Sequence, residues 1–165
     1  MGKALLSLGS NIDAERNLRS AFAALRERFG DIVASKVYRF PAVGFDGADF
    51  LNAGAAIDSD LDPQALNDWL HALEDAHGRD RSGPRFGDRP LDIDIVFYDD
   101  LVTDGPGHLQ LPRDELKHAF VLKPLCEIAP DFVDPRSGRT LAELWAESSE
   151  RDVPYALAFD PALAD

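Results

Sequence analysis

Arg79-Asp80-Arg81-Ser82-Gly83-Pro84-Arg85-Phe86-Gly87-Asp88-Arg89-Pro90-Leu91-Asp92-Ile93-Asp94-Ile95 is the stretch around which the rest of the chain falls into order. Its glycines and prolines mark a loop, and past Pro90 the pattern turns to strict alternation, which is the signature of a strand. Side chains two apart on a strand share a face, so Asp92 and Asp94 point one way while Leu91, Ile93 and Ile95 turn into a core. Two carboxylates on one face, with four guanidiniums just upstream, suit a magnesium-bound polyphosphate. Magnesium takes one or two carboxylates together with phosphate oxygens, and the arginine fork matches phosphoryl oxygens in pairs.

Upstream of this loop the chain alternates strands and helices. Ala4 to Leu8 reads as a short buried strand ending at the turn signal Gly9-Ser10-Asn11. A helix follows, with Leu18, Phe22, Leu25 and Phe29 on one face, Asp13 as its cap and Gly30 as a left-handed terminator. Ile32 to Phe40 forms a β-branched and aromatic strand stopped by Pro41, and Phe50 to Ile57 forms another. Asp62 caps a second helix with Pro63 at its first position, an apolar stripe of Leu66, Trp69, Leu70 and Leu73, and His77-Gly78 at its end. Leu91 to Tyr98 is the fourth strand. The order βαββαβ predicts an α+β, ferredoxin-like sandwich, in which two helices cover one face of an antiparallel sheet. A C-terminal helical extension follows, from Leu116 to Ile128 and from the capping box Thr140-Leu141-Ala142-Glu143, and the tail from Asp152 to Asp165 reads as irregular.

The 165 residues suit one domain with a sizeable core, no repeat and no linker. The single cysteine, Cys126, excludes an intramolecular disulfide and reads as a small core residue. An N-terminal apolar stretch too short for a signal peptide or a membrane span leads us to expect a cytoplasmic protein with no membrane partner. The net charge of −13 argues against a nucleic-acid partner. Residues 78–90 nonetheless carry a local +2, which leaves −15 on the remainder and one concentrated site for a polyanion. The four histidines have no zinc-type spacing with each other or with Cys126. Taken singly, Phe50 suits ordinary core, Asn52 a bulge or turn, and the pair His71 and Glu74 a solvated helix face.

Read together, Leu8-Gly9-Ser10-Asn11, Tyr38-Arg39-Phe40-Pro41, Phe50-Leu51-Asn52-Ala53, the block Arg89-Pro90-Leu91-Asp92-Ile93-Asp94-Ile95 and Phe120-Val121-Leu122-Lys123-Pro124-Leu125 resemble the 6-hydroxymethyl-7,8-dihydropterin pyrophosphokinase family. The resemblance runs from about Ala4 to about Trp145, and the block ending in Asp92-Ile93-Asp94-Ile95 is its most specific part. It implies transfer of pyrophosphate from ATP to a pterin alcohol in folate biosynthesis, with AMP as the other product. It further implies two Mg2+ ions on Asp92 and Asp94, catalytic roles for Arg79, Arg89, Asp92 and Asp94, and ATP contacts from His71, Glu74, Arg81, Phe86, Arg89, Ile95, Arg113 and His118. The pterin is expected on Asn52 between Phe50 and Phe120, with backbone groups around Phe40, Ala42 and Val43 reading its edge. A monomer acting on ATP and 6-hydroxymethyl-7,8-dihydropterin is expected.

Three positions depart from the family's usual pattern. Phe86 stands where tryptophan is common, Arg113 follows Pro112 where histidine is common, and His118 lies near a usual arginine in a slightly shortened segment. Two other readings use the same features. A nucleotidyltransferase would share the paired carboxylates but release pyrophosphate, and a nucleotide-sensing module would bind ATP without turnover and would have no use for a second heterocycle pocket.

Overall fold

The computed structural model describes residues 1–41, 47–78, 89–104, 109–152 and 155–161. In chain order the elements are β1 (Gly2–Ser10), α1 (Ala14–Phe29), β2 (Val33–Ala34), β3 (Val37–Phe40), β4 (Phe50–Ser59), α2 (Pro63–Ala76), β5 (Asp92–Tyr98), a 3-10 turn (Asp114–Lys117), α3 (Ala119–Ile128), α4 (Leu141–Glu147) and β6 (Ala156–Phe159). The antiparallel sheet runs β5-β1-β4-β3-β6, with β2 also on β4. Its first four strands follow the order that a βαββαβ chain takes in a ferredoxin-like sandwich.

Alternation along the strands builds two cores. Ala4, Leu6 and Leu8 of β1, Ala53, Ala55 and Ile57 of β4, and Ile93 and Ile95 of β5 face Leu18, Phe22 and Leu25 of α1 and Leu66 and Leu70 of α2. On the opposite face Leu5, Ala56, Val96 and Phe97 pack on Val121, Leu122 and Leu125 of α3 and Leu141 of α4. The C-terminal helices therefore cover the face that a plain two-helix sandwich would leave to solvent. A register shift between Leu5 and Leu6 lets both Val96 and Phe97 serve this second core while Tyr98 returns to the first. The approach of α3 depends on Gly54, where a β-carbon would stand 2.8 Å from Leu125 Cδ2 and 3.3 Å from the Leu125 backbone nitrogen.

Local chemistry departs from expectation in three places. Asp13 makes no side-chain cap bond among the described residues; it adopts a left-handed conformation and pairs instead with Arg16 at 2.9 Å. The strand expected from Ile32 to Phe40 is cut in two at Ser35, whose amide still donates to the Gly54 carbonyl at 2.9 Å but whose hydroxyl, in place of a strand carbonyl, accepts the Gly54 amide at 2.8 Å. The tail is not wholly irregular, since Ala156–Phe159 pairs with β3 and becomes the edge strand. Gly30 does end α1 at a φ of 82°, which favours glycine, although its ψ of −139° lies outside the left-handed helical well. At α2, Asp62 accepts the Ala65 amide at 2.8 Å with Pro63 just inside the helix, and at α4 Thr140 and Glu143 form the reciprocal capping box. Among the described residues no helix is long and apolar enough to cross a membrane.

Candidate active site

The sheet face that meets α3 has a polar end. Strand register places Asp92, Gly9, Asn52 and Tyr38 in one row across β5, β1, β4 and β3, and Asp94, Ser7 and Gly54 in the next. All of these lie opposite the α1/α2 core, because their strand neighbours Leu8, Ala53, Ile93 and Ile95 fill it. Asp92 and Asn52 are therefore two strand spacings apart, about 10 Å. Gly9 is the floor between them: a β-carbon there would stand 2.7 Å from Asn52 Nδ2 and 3.6 Å from the Phe50 ring.

On the carboxylate side, Arg113 Nη1 stands 3.8 Å from Asp94 Oδ1 and Arg113 Nη2 stands 3.3 Å from Glu115 Oε1. Loss of water pushes the Asp94 carboxyl well above its ordinary range, and the neighbouring Asp92 charge adds to this. Arg113 opposes the rise, while Glu74 and Glu115 reinforce it. Burial would lower the Arg113 guanidinium, but Asp94, Glu115 and Asp92 outweigh that and raise it. Two carboxylates on one face of a strand have the donor chemistry of a divalent-cation site that shares its remaining ligands with a polyphosphate. No group of three or more His, Cys, Asp or Glu side chains that would bind a metal unaided occurs among the described residues.

β5 is an edge strand, and its outer side is tied down where the carboxylates begin. Glu74, buried on α2, accepts the Ile93 amide at 2.8 Å, and the Arg113 amide donates to the Val96 carbonyl at 3.2 Å. Glu74 is thus no solvated helix face; it holds the strand that carries Asp92 and Asp94, while His71 one turn earlier is exposed. Ile95 is buried in the first core, so its side chain is not available to a nucleotide and only its backbone could be.

On the aromatic side, Asn52 is buried, its Oδ1 has no hydrogen-bond partner among the described residues, and its Nδ2 makes only a long 3.5 Å contact to the Leu8 carbonyl. Buried polar groups are as a rule hydrogen-bonded, so this oxygen has capacity for a further donor. Phe50 lies beside Asn52 at the start of β4 and pairs in register with Phe40. The Phe40 ring is buried and meets Phe120 edge-on at 6.4 Å. Phe120, in the first turn of α3, is stacked face to face with the His118 ring at 5.1 Å. Arg79, Arg81, Phe86, Ala42 and Val43 lie outside the described residues.

Two residues escaped the sequence reading as agents. Asn11, noted there only as a turn signal, accepts the Arg89 amide at 2.7 Å through its side chain and donates its own amide to the Arg89 carbonyl at 3.0 Å. Its Nδ2 also donates to the Ala48 carbonyl at 3.1 Å. It thereby joins the end of β1 to the entry of β5 and to the approach to β4. Gly9 escaped because its importance is a matter of register, which shows only once three strands are aligned.

The model of the 7,8-dihydro-6-hydroxymethylpterin-pyrophosphokinase family matches residues 5–130. A 2-amino-4-hydroxy-6-hydroxymethyldihydropteridine pyrophosphokinase from Methylorubrum extorquens is 40% identical over 152 residues, which are 89% of this chain and 94% of that protein. The enzyme of the same name from Synechocystis is 39% identical over 145 residues, covering 86% of this chain and 73% of that one. Among solved structures, Plasmodium falciparum HPPK-DHPS superposes with a TM-score of 0.70 at 13% identity, over 91% of this chain and 45% of that chain, a likeness that bears on the fold alone. The motif block, the sandwich and these matches agree, and the chain belongs to the 7,8-dihydro-6-hydroxymethylpterin-pyrophosphokinase family.

Proposed function

We propose that the polar row across the sheet carries out the family's reaction, with ATP over Asp92 and Asp94 and the pterin over Asn52. The observation that carries this is the buried Oδ1 of Asn52, which has no hydrogen-bond partner among the described residues and lies on the same face and in the same row as Asp92, with Gly9 between them. A flat heterocycle with donors and acceptors on its rim completes that amide, and the rings of Phe50 and Phe120 supply stacking area for it.

The hydroxymethyl oxygen of the pterin attacks the β-phosphorus of ATP. A new P–O bond forms, the bond from the β-phosphorus to the α,β-bridging oxygen breaks, AMP departs with that oxygen, and the hydroxyl proton passes to solvent. Asp92 and Asp94 would hold two magnesium ions, which when bound neutralise the polyphosphate and make the hydroxyl more acidic. Arg89 and Arg113 are proposed as phosphate partners, and the Arg113 Nε, buried with no partner among the described residues, supports that role for Arg113. His71, Glu74, Ile95 and His118 are proposed on the nucleotide side with Arg79, Arg81 and Phe86, with Glu74 acting through its hold on β5 and Ile95 through its backbone. Phe40, Ala42 and Val43 are proposed around the pterin edge.

The test is product analysis with ATP, magnesium and 6-hydroxymethyl-7,8-dihydropterin. AMP and the pterin pyrophosphate ester should appear in equal amounts with no free pyrophosphate. Release of pyrophosphate would point to nucleotidyl transfer instead, and binding of ATP without turnover to a sensor.

A further inference from the structure

We propose that the segment beyond the family match, around Glu150 and Tyr155, is a working support of the pterin pocket, in which these two are positioning residues for Phe40 and Phe120. The proposal rests on the pterin reading above. The match to the family ends at residue 130, yet the chain returns from α4 to the aromatic end of the same sheet face.

Three contacts make the case. The Tyr155 ring lies 5.0 Å from that of Phe40, which in turn meets Phe120. Glu150 Oε2 accepts the Ala119 amide at 2.8 Å. That amide opens α3, whose own cap residue His118 makes no side-chain cap bond among the described residues, so a carboxylate from the tail holds the turn that carries Phe120. The Tyr155 hydroxyl donates to the Glu150 carbonyl at 3.0 Å, which locks the two supports together.

A cation anchors the assembly. Lys123 of α3 places its Nζ 4.7 Å from the Tyr38 ring centre, 5.8 Å from Trp145 and 5.7 Å from Tyr155. Tyr38 is the register partner of Asn52, and its hydroxyl donates to Glu127 of α3. The tail, α3 and the strand beside Asn52 are therefore joined through one ammonium group, an arrangement whose aromatic partners gain from its charge. Side chains that fix a stacking ring set how well a flat ligand is received, because misplacement of a bound ring is costly.

The test compares Tyr155→Ala, Tyr155→Phe, Glu150→Ala and the reference Asn52→Ala in the full chain. Calorimetric titrations use 6-hydroxymethyl-7,8-dihydropterin, with a magnesium-bound non-hydrolysable ATP analogue titrated separately, and steady-state KM and melting temperature accompany them. Tyr155→Ala and Glu150→Ala should weaken pterin binding by about fivefold or more, leave nucleotide affinity within about twofold, and raise the KM for pterin more than they lower kcat. Tyr155→Phe keeps the ring and should restore most of the affinity. If both alanine variants bind pterin as the parent does while Asn52→Ala does not, the tail has no part in the pocket and the inference is overturned. If Asn52→Ala is also without effect, it is the pterin reading that fails. Equal losses for pterin and nucleotide would reduce the tail to general scaffolding and also overturn the inference. Glu150→Ala leaves every ring in place, so it decides the matter where Tyr155→Ala does not fold.

Discussion

Asn52 Nδ2 lies 2.7 Å from the point at which a β-carbon on Gly9 would stand. A glycine on the strand next to Asp92 is therefore what leaves room for the amide over β1. Gly9→Ala should push the amide out of place at a cost of about 1–3 kcal/mol, appearing as weaker pterin binding. Titration of the pterin into the variant checks this, and unchanged affinity would mean that Asn52 is not held by this contact.

Removing the amide itself separates binding from stability. Asn52→Ala should weaken pterin binding by about 1–3 kcal/mol, since rim atoms of the ligand lose their partners. The unliganded protein loses little by comparison, because Oδ1 has no partner among the described residues. Melting curves with and without pterin should show the parent gaining more from ligand than the variant. Phe50→Tyr keeps the ring and should bind nearly as the parent does.

The carboxylate pair makes a prediction about pH and metal. The Asp94 carboxyl is raised above its ordinary range by loss of water and by Asp92. Its folded value therefore exceeds its unfolded one, and across the interval between them the folded state holds more protons than the unfolded state. Stability must then fall as pH rises through that interval, and the metal-free protein at neutral pH carries the penalty. Asp94→Asn should melt higher than the parent at neutral pH without magnesium, with the gap closing at pH below the ordinary aspartate range. Magnesium with a nucleotide analogue should stabilise the parent but not the variant, whose turnover should fall by roughly a thousandfold. A variant with near-parent turnover would exclude this metal site.

Asn11 joins the two halves of the site, through Arg89 on one side and Ala48 on the other. In the parent, a magnesium-bound ATP analogue should tighten pterin binding at least tenfold, or about 1.4 kcal/mol of coupling. Asn11→Ala should lose most of that coupling while each ligand alone still binds. Double titration measures it directly, and an unchanged coupling in the variant would place the link elsewhere.

What the sequence determined by itself is what depends on neighbours along the chain. Alternation put Asp92 and Asp94 opposite Ile93 and Ile95, the 3.6-residue period marked α1 and α2, and the caps at Asp62 and Thr140 work as local hydrogen bonds. The βαββαβ order and the motif block were enough to point to the family. What only the tertiary structure decided depends on residues far apart. Gly9 counts because register sets it between Asp92 and Asn52, and Glu74 because α2 carries its carboxylate to the Ile93 amide on an edge strand. Val96 and Phe97 share a face only through a register shift against β1. The strand expected through Ser35 breaks because its hydroxyl finds Gly54 on β4. The tail read as irregular since Ala156–Phe159 is too short to declare itself, and it becomes a strand because β3 offers an edge for it to pair with.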